Sequence, residues 1–178
     1  MNRTKILIVF SLLSIALSAC GFHLRGAFEV PDSLKLVHLS SENPASAMLN
    51  NVRRTMLASG VQVVKYSSEA PYSLHLSGER TEKRSISVDS LAAAAEFQLR
   101  QFISYEIRDE RKKLLLGPHE LISERNFQND INNVVGKRDE ERLIREEMQV
   151  QLAAQIMRRY QSIDVNQLSQ TSASVGEH

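Results

Sequence analysis

The sequence predicts an α/β (α+β) two-layer sandwich, with two amphipathic helices packed on one face of a four- or five-stranded mixed sheet. Three observations carry this. Between Ala94 and Arg108 apolar and polar residues alternate, the period of a strand buried on one side and wet on the other. Between Ile144 and Tyr160 apolar residues recur every four positions, the period of a helix with one buried stripe. Ahead of both, a short apolar run, a helical stretch and a second short apolar run follow one another, as in a strand–helix–strand crossover. Each element has one apolar face, and stacking two layers buries both.

The chain opens on a segment outside that domain. Arg3 and Lys5 make a positive head, Ile6 to Leu17 is apolar apart from Ser11 and Ser14, and Ser18 and Ala19 are small. A run this short falls below the roughly 20 residues a spanning helix needs, and residues 1–19 read as a secretory signal peptide. Leu17-Ser-Ala-Cys20 resembles the bacterial lipobox, whose cysteine is acylated and begins the mature chain. Cys20 is the only cysteine, so acylation there leaves no disulfide and no thiolate. Each buried CH₂ adds about 0.8 kcal/mol, so several acyl chains make a stable anchor. Gly21 stands where an aspartate favours inner-membrane retention, which directs the expectation to the outer membrane, periplasmic side. Cleavage after residue 19 leaves 159 of 178 residues and removes two basic groups and no acid, so the formal charge falls from +1 to −1. That suffices for one domain, and its near-neutral balance excludes general nucleic-acid binding.

Residues 20–33 read as a lipidated linker, 34–160 as the domain and 161–178 as a flexible polar tail. Leu34 to Ser40 is a short apolar strand after the Pro31-Asp32-Ser33 turn. In the helix that follows, Pro44 lies near the first position and Gly60 just past the last, with Met48, Leu49, Val52 and Met56 on one face. Val61 to Tyr66 is a second short strand. Tyr72, Leu74 and Leu76 alternate with polar residues, and the polar stretch from Gly78 to Val88 extends that strand. From Ala94 to Arg108, Phe97, Leu99, Ile103, Tyr105 and Ile107 face one way, with Phe102 as the exception. Asp109 to Lys113 is a charged turn, and Leu114 to Phe127 a return strand interrupted near Gly117-Pro118. The final helix, Lys137 to Gln161, has acids at its start and Arg158 and Arg159 at its end, both suited to the helix dipole.

No catalytic constellation emerges. The five histidines are scattered without metal-ligand spacing, and His38 and His75 read as structural residues of strands. There is no phosphate loop and no nucleophile elbow, so neither a catalytic residue, a metal nor a cofactor is expected. Glu140, Glu141, Glu146 and Glu147 sit among arginines and read as ion-pair decoration. Three basic clusters stand out: Arg80, Lys83 and Arg84; Arg111, Lys112 and Lys113; and Lys137 with Arg138. The last pair opens a helix, where positive charge opposes the dipole, and would suit a phosphorylated ligand together with the free helix N–H groups.

Cys20-Gly-Phe-His-Leu-Arg25 resembles the mature start of the LPS-assembly lipoprotein family (LptE, formerly RlpB). "VPDSLK" at Val30 to Lys35, "VRRTMLASGVQVV" at Val52 to Val64 and "AAEFQL" at Ala94 to Leu99 are similar to the family and in its order. The resemblance implies a non-enzymatic role: a lipoprotein seated as a plug within the large β-barrel LptD, supporting its folding while lipopolysaccharide is delivered to the outer leaflet. It also implies direct contact with lipopolysaccharide, for which Lys137 aligns with a basic family position and Arg138 is its neighbour. The loop Ser87 to Leu91 is acidic rather than basic, a departure from the family if its ligand patch uses that loop. The alternative is a free-standing lipid-binding lipoprotein without a barrel, which needs an apolar cleft of its own; an anchored hydrolase lacks a visible catalytic set.

Overall fold

The computed structural model describes residues 30–88, 90, 94–129 and 134–163; the expected signal peptide, Cys20 and the chain beyond 163 lie outside them. Strands β1 (Leu36–Ser41), β2 (Gln62–Val64), β3 (Tyr72–Val88), β4 (Ala94–Asp109) and β5 (Leu114–Gln128) form one sheet in the order β2-β1-β3-β4-β5. Helix α1 (Ala47–Ala58) links β1 to β2, and helix α2 (Val134–Gln161) ends the domain. β1 runs parallel to β2 and β3, whereas β3, β4 and β5 are antiparallel. The sheet is therefore mixed and five-stranded, as expected.

Local chemistry sets the boundaries. Ser46, not Pro44, begins α1: its Oγ accepts the Leu49 N–H at 3.0 Å, satisfying one of the helix's orphan donors. Pro44 lies in the turn before the cap. Past the last helical turn, Gly60 adopts φ +81°, and its N–H bonds to Leu57 O while Val61 N–H bonds to Met56 O. That pairing is a Schellman stop, sealed by two buried side chains, Val61 and Met56. The final helix starts at Val134, three residues before Lys137, so the basic pair sits inside its first turn or two and not at its opening. At the other end Ile163 is 8% exposed and joins the core, so ordered packing continues past the expected boundary at 160.

The polar half of β3 does continue the strand to Val88, with a register shift between Ser77 and Arg80. β5 carries the expected interruption, a cis Gly117-Pro118 bond with Gly117 at φ +93°. A Cβ on Gly117 would lie 2.6 Å from the Tyr105 carbonyl oxygen, so the strands approach too closely there for any side chain.

Both helices cover one sheet face. Most of the core lies there: Val37, Leu39, Leu74, Leu76, Ile103, Tyr105 and Ile107 from the strands meet α1 and the second half of α2. A smaller cluster joins Leu99, Phe127 and the partly buried Phe97 of the strands to Ile144 and Met148 of the first part of α2. Between them runs a polar belt. Buried Gln101 donates to the Arg145 carbonyl at 3.3 Å, and Gln151 accepts from Arg125 at 2.8 Å and Ser123 at 3.4 Å.

Candidate functional site

β3 to β5 outrun the rest of the sheet. At about 3.3 Å per residue, the 17 residues of β3 reach roughly 55 Å, and β1 pairs only with its first five positions. The domain thus has a thick proximal end, where β1 and Leu34 lie, and a thin distal end. Tyr160 marks the proximal end: its hydroxyl, fully buried, donates to the Leu34 carbonyl at 2.9 Å. The distal end holds the far tips of β3 and β4, the close of β5 and the start of α2.

Lys137 and Arg138 stand on that distal end. Lys137 Nζ lies 2.6 Å from Glu140 Oε2, a half-exposed i,i+3 pair, and Arg138 is exposed. Such a pair contributes little to stability, of order 0–1 kcal/mol, so an anionic group could displace Glu140 at small cost. Asp89 and Leu91 of the acidic loop, like Cys20, lie outside the described residues.

The cluster Arg80, Lys83 and Arg84 is not one patch, because pleating divides it between the two sheet faces. Lys83 points to the helix side, where Nζ is 2.6 Å from Glu141 Oε2 and 4.1 Å from the Phe97 ring centre. Glu141 also accepts from Arg145 Nε at 3.0 Å. Partial burial would raise the Glu141 carboxyl, yet the hydrogen bonds from Lys83 and Arg145, with their charges, bring it below its ordinary range. This clasp ties α2 to β3 over the smaller apolar cluster. The other Glu–Arg pairs of α2, such as Arg142 with Glu146 at 3.0 Å, are the solvated decoration expected from the sequence.

Arg80 and Arg84 point to the open face. There Phe102, the exception to the alternation, is only 4% exposed. Arg80 covers its ring at 3.7 Å and Arg100 at 4.8 Å, a stacking geometry that favours guanidinium over ammonium. Glu120 holds Arg80 at 2.7 Å, and Glu124 holds Arg100 at 2.6 Å. The open face is therefore a lattice of ion pairs with an aromatic sealed beneath it. Nearer β1, Ser40 Oγ and His75 Nδ1 lie 2.9 Å apart, and Glu106 pairs across from His75 but is held by Arg108 at 2.7 Å. On this sheet surface the contact ties β1 to β3, in keeping with a structural His75.

Two surface hollows are polar in character. One of about 590 Å³ is lined by Pro71, Tyr72, Asp109, Glu110, Arg111 and Lys113; another of about 330 Å³ by Gln155, Arg158, Arg159 and Ser162. Neither has the apolar lining an acyl chain requires. Among the described residues no helix is long and apolar enough to cross a membrane.

Comparison with known proteins agrees with this architecture. The model of the LptE family, described as lipopolysaccharide-assembly, matches residues 34–160. An LPS-assembly lipoprotein LptE of Photorhabdus laumondii is 27% identical over 157 residues, spanning 88% of this chain and 85% of its own. A protein of the same name from Pectobacterium atrosepticum is 24% identical over 168 residues, spanning 94% and 90%. Among solved structures, an uncharacterized lipoprotein B of Nitrosomonas europaea is similar with a TM-score of 0.69 at 21% identity, over 89% of this chain and 97% of that one. The rare lipoprotein B of Shewanella oneidensis gives 0.62 at 22%, over 80% and 99%. At such identities these two structures establish the fold.

Proposed function

The chain belongs to the LptE family of lipopolysaccharide-assembly proteins, and from that premise we propose that it is an outer-membrane lipoprotein, acylated at Cys20, that plugs and helps assemble an LptD-type β-barrel. The observation that carries this reading is the elongated shape. A strand of roughly 55 Å is long enough to cross the 40–45 Å of a bilayer with its headgroups. A barrel-seated domain anchored at its proximal end would bring its distal end to the opposite leaflet, where lipopolysaccharide is delivered. The ion-pair lattice on the open face suits a wet lumen, since it leaves Phe102 covered and polar groups outward. In this reading Lys137 and Arg138 meet the anionic groups of lipopolysaccharide.

The test is purification through a carboxy-terminal tag after mild detergent extraction of outer membranes. A large, heat-modifiable barrel protein should be recovered in equimolar amount. Recovery of the lipoprotein alone would instead favour a free-standing lipid-binding role.

A further inference from the structure

Basic side chains gather at the proximal end from three distant parts of the sequence. Lys35 precedes β1, Arg111, Lys112 and Lys113 form the β4–β5 hairpin, and Arg158 and Arg159 close α2. The topology unites them. Tyr160 is bonded to Leu34 at 2.9 Å; β1 starts beside Tyr72, and Tyr72 pairs with Asp109 at the root of the hairpin. Among the described residues, three carboxylates flank these side chains. Asp32 is bound by Lys35, Asp109 Oδ1 accepts the Lys113 N–H at 2.8 Å, and Glu110 is exposed. Cations outnumber them two to one, and Arg111, Lys112, Arg158 and Arg159 are all exposed. Beside the hairpin cations Leu114 is 42% exposed, an apolar contact within a basic tip.

Lys112 adds an independent observation. It holds φ 63°, a left-handed conformation for which glycine or asparagine is the default. A lysine there is placed against local preference, which is characteristic of functional positions.

We propose that, before the domain is seated in its barrel, this end docks on an anionic phospholipid surface, the leaflet that holds the acyl chains of Cys20. The proposal rests on reading Cys20 as the anchor. Nine residues lie between Cys20 and Val30, a reach of at most about 35 Å, so the proximal end is the one the anchor keeps near the bilayer. Each Lys or Arg close to an anionic leaflet favours the docked state about fivefold, an effect confined to roughly one Debye length. The lipid anchor supplies the stable attachment, and the basic tip sets the orientation of the domain on it.

The experiment uses the acylated full-length protein carrying Glu110→Cys, labelled with an environment-sensitive fluorophore. It is reconstituted in vesicles of phosphatidylcholine alone, with phosphatidylglycerol, or with lipopolysaccharide. The label should enter the headgroup region with phosphatidylglycerol and not with phosphatidylcholine alone, and high salt should reverse this. Arg111→Gln with Lys112→Gln should lower the docked-to-free ratio roughly twenty-five-fold. Lys112→Gly should raise Tm while lowering that ratio about fivefold; a merely structural lysine would move Tm alone. Equal contact on neutral and anionic vesicles, no contact on either, or contact only with lipopolysaccharide would each overturn the docking. Labelling at two sites per chain would show a free Cys20, removing the anchor and with it the reason the tip meets a leaflet.

Discussion

Tyr160 shows how much one side chain can decide. Its place at the end of the apolar stripe is legible in the sequence, but its partner, the Leu34 carbonyl, is 126 positions away. Tyr160→Phe leaves that carbonyl buried without a donor and should cost about 1–3 kcal/mol in urea unfolding. Burial, reinforced by the charge of Tyr72, raises the Tyr160 phenol well above its ordinary value of 10.0. Burial also raises Tyr105, against a smaller opposing effect of Arg159. Because the folded-state values are raised, their stabilising contribution is complete below pH 10 and declines as pH rises beyond it. Tyr160→Phe should therefore flatten the alkaline limb of a Tm–pH profile. Lys83 teaches the reverse lesson: neighbouring numbers suggested a basic patch, and strand pleating sent it to the opposite face from Arg80 and Arg84.

Within α2, two halves of one helix do different work. The carboxy-terminal half, with Leu152, Ile156 and Met157, packs on the main core, whereas the amino-terminal half, with Ile144 and Met148, covers only Leu99 and Phe127 among buried apolar strand residues and is held by the Lys83–Glu141–Arg145 clasp. The polar belt at Gln101 and Gln151 separates them. Ile156→Ala should cost about 2–5 kcal/mol, and Ile144→Ala, at a partly exposed site, clearly less. Amide hydrogen exchange should reveal the same gradient, with residues 137–147 exchanging before 151–160. The four-residue periodicity marked the whole helix as one amphipathic element. It could not mark the division, because that depends on which strand residue faces each turn.

For the whole molecule, the separation of its two ends organises the functional expectations. If Cys20 carries the anchor, Cys20→Ala should release the protein from the membrane fraction while leaving its thermal unfolding unchanged. If the distal end meets lipopolysaccharide, replacing Lys137 and Arg138 with glutamate should weaken lipopolysaccharide binding by tenfold or more, as two charge-assisted contacts are lost, while leaving barrel recovery intact. Unchanged binding would remove this pair from the site.

The sequence by itself determined the two-layer class, the strand and helix order and the buried stripes. These follow from periods of two and nearly four, which are local properties of a chain with one face to bury. It also carried the opening motif that resembles the family, after a run similar to a lipobox. Only the tertiary structure decided which charges meet. The hairpin lysines and the last arginines lie more than forty positions apart, yet share one end because β1 aligns with the start of β3 and Tyr160 closes over Leu34. Lys83 and Glu141 meet for the same reason, since strand register and helix placement bring distant side chains within hydrogen-bond reach. Such pairings arise from packing in three dimensions, which local periodicity does not encode.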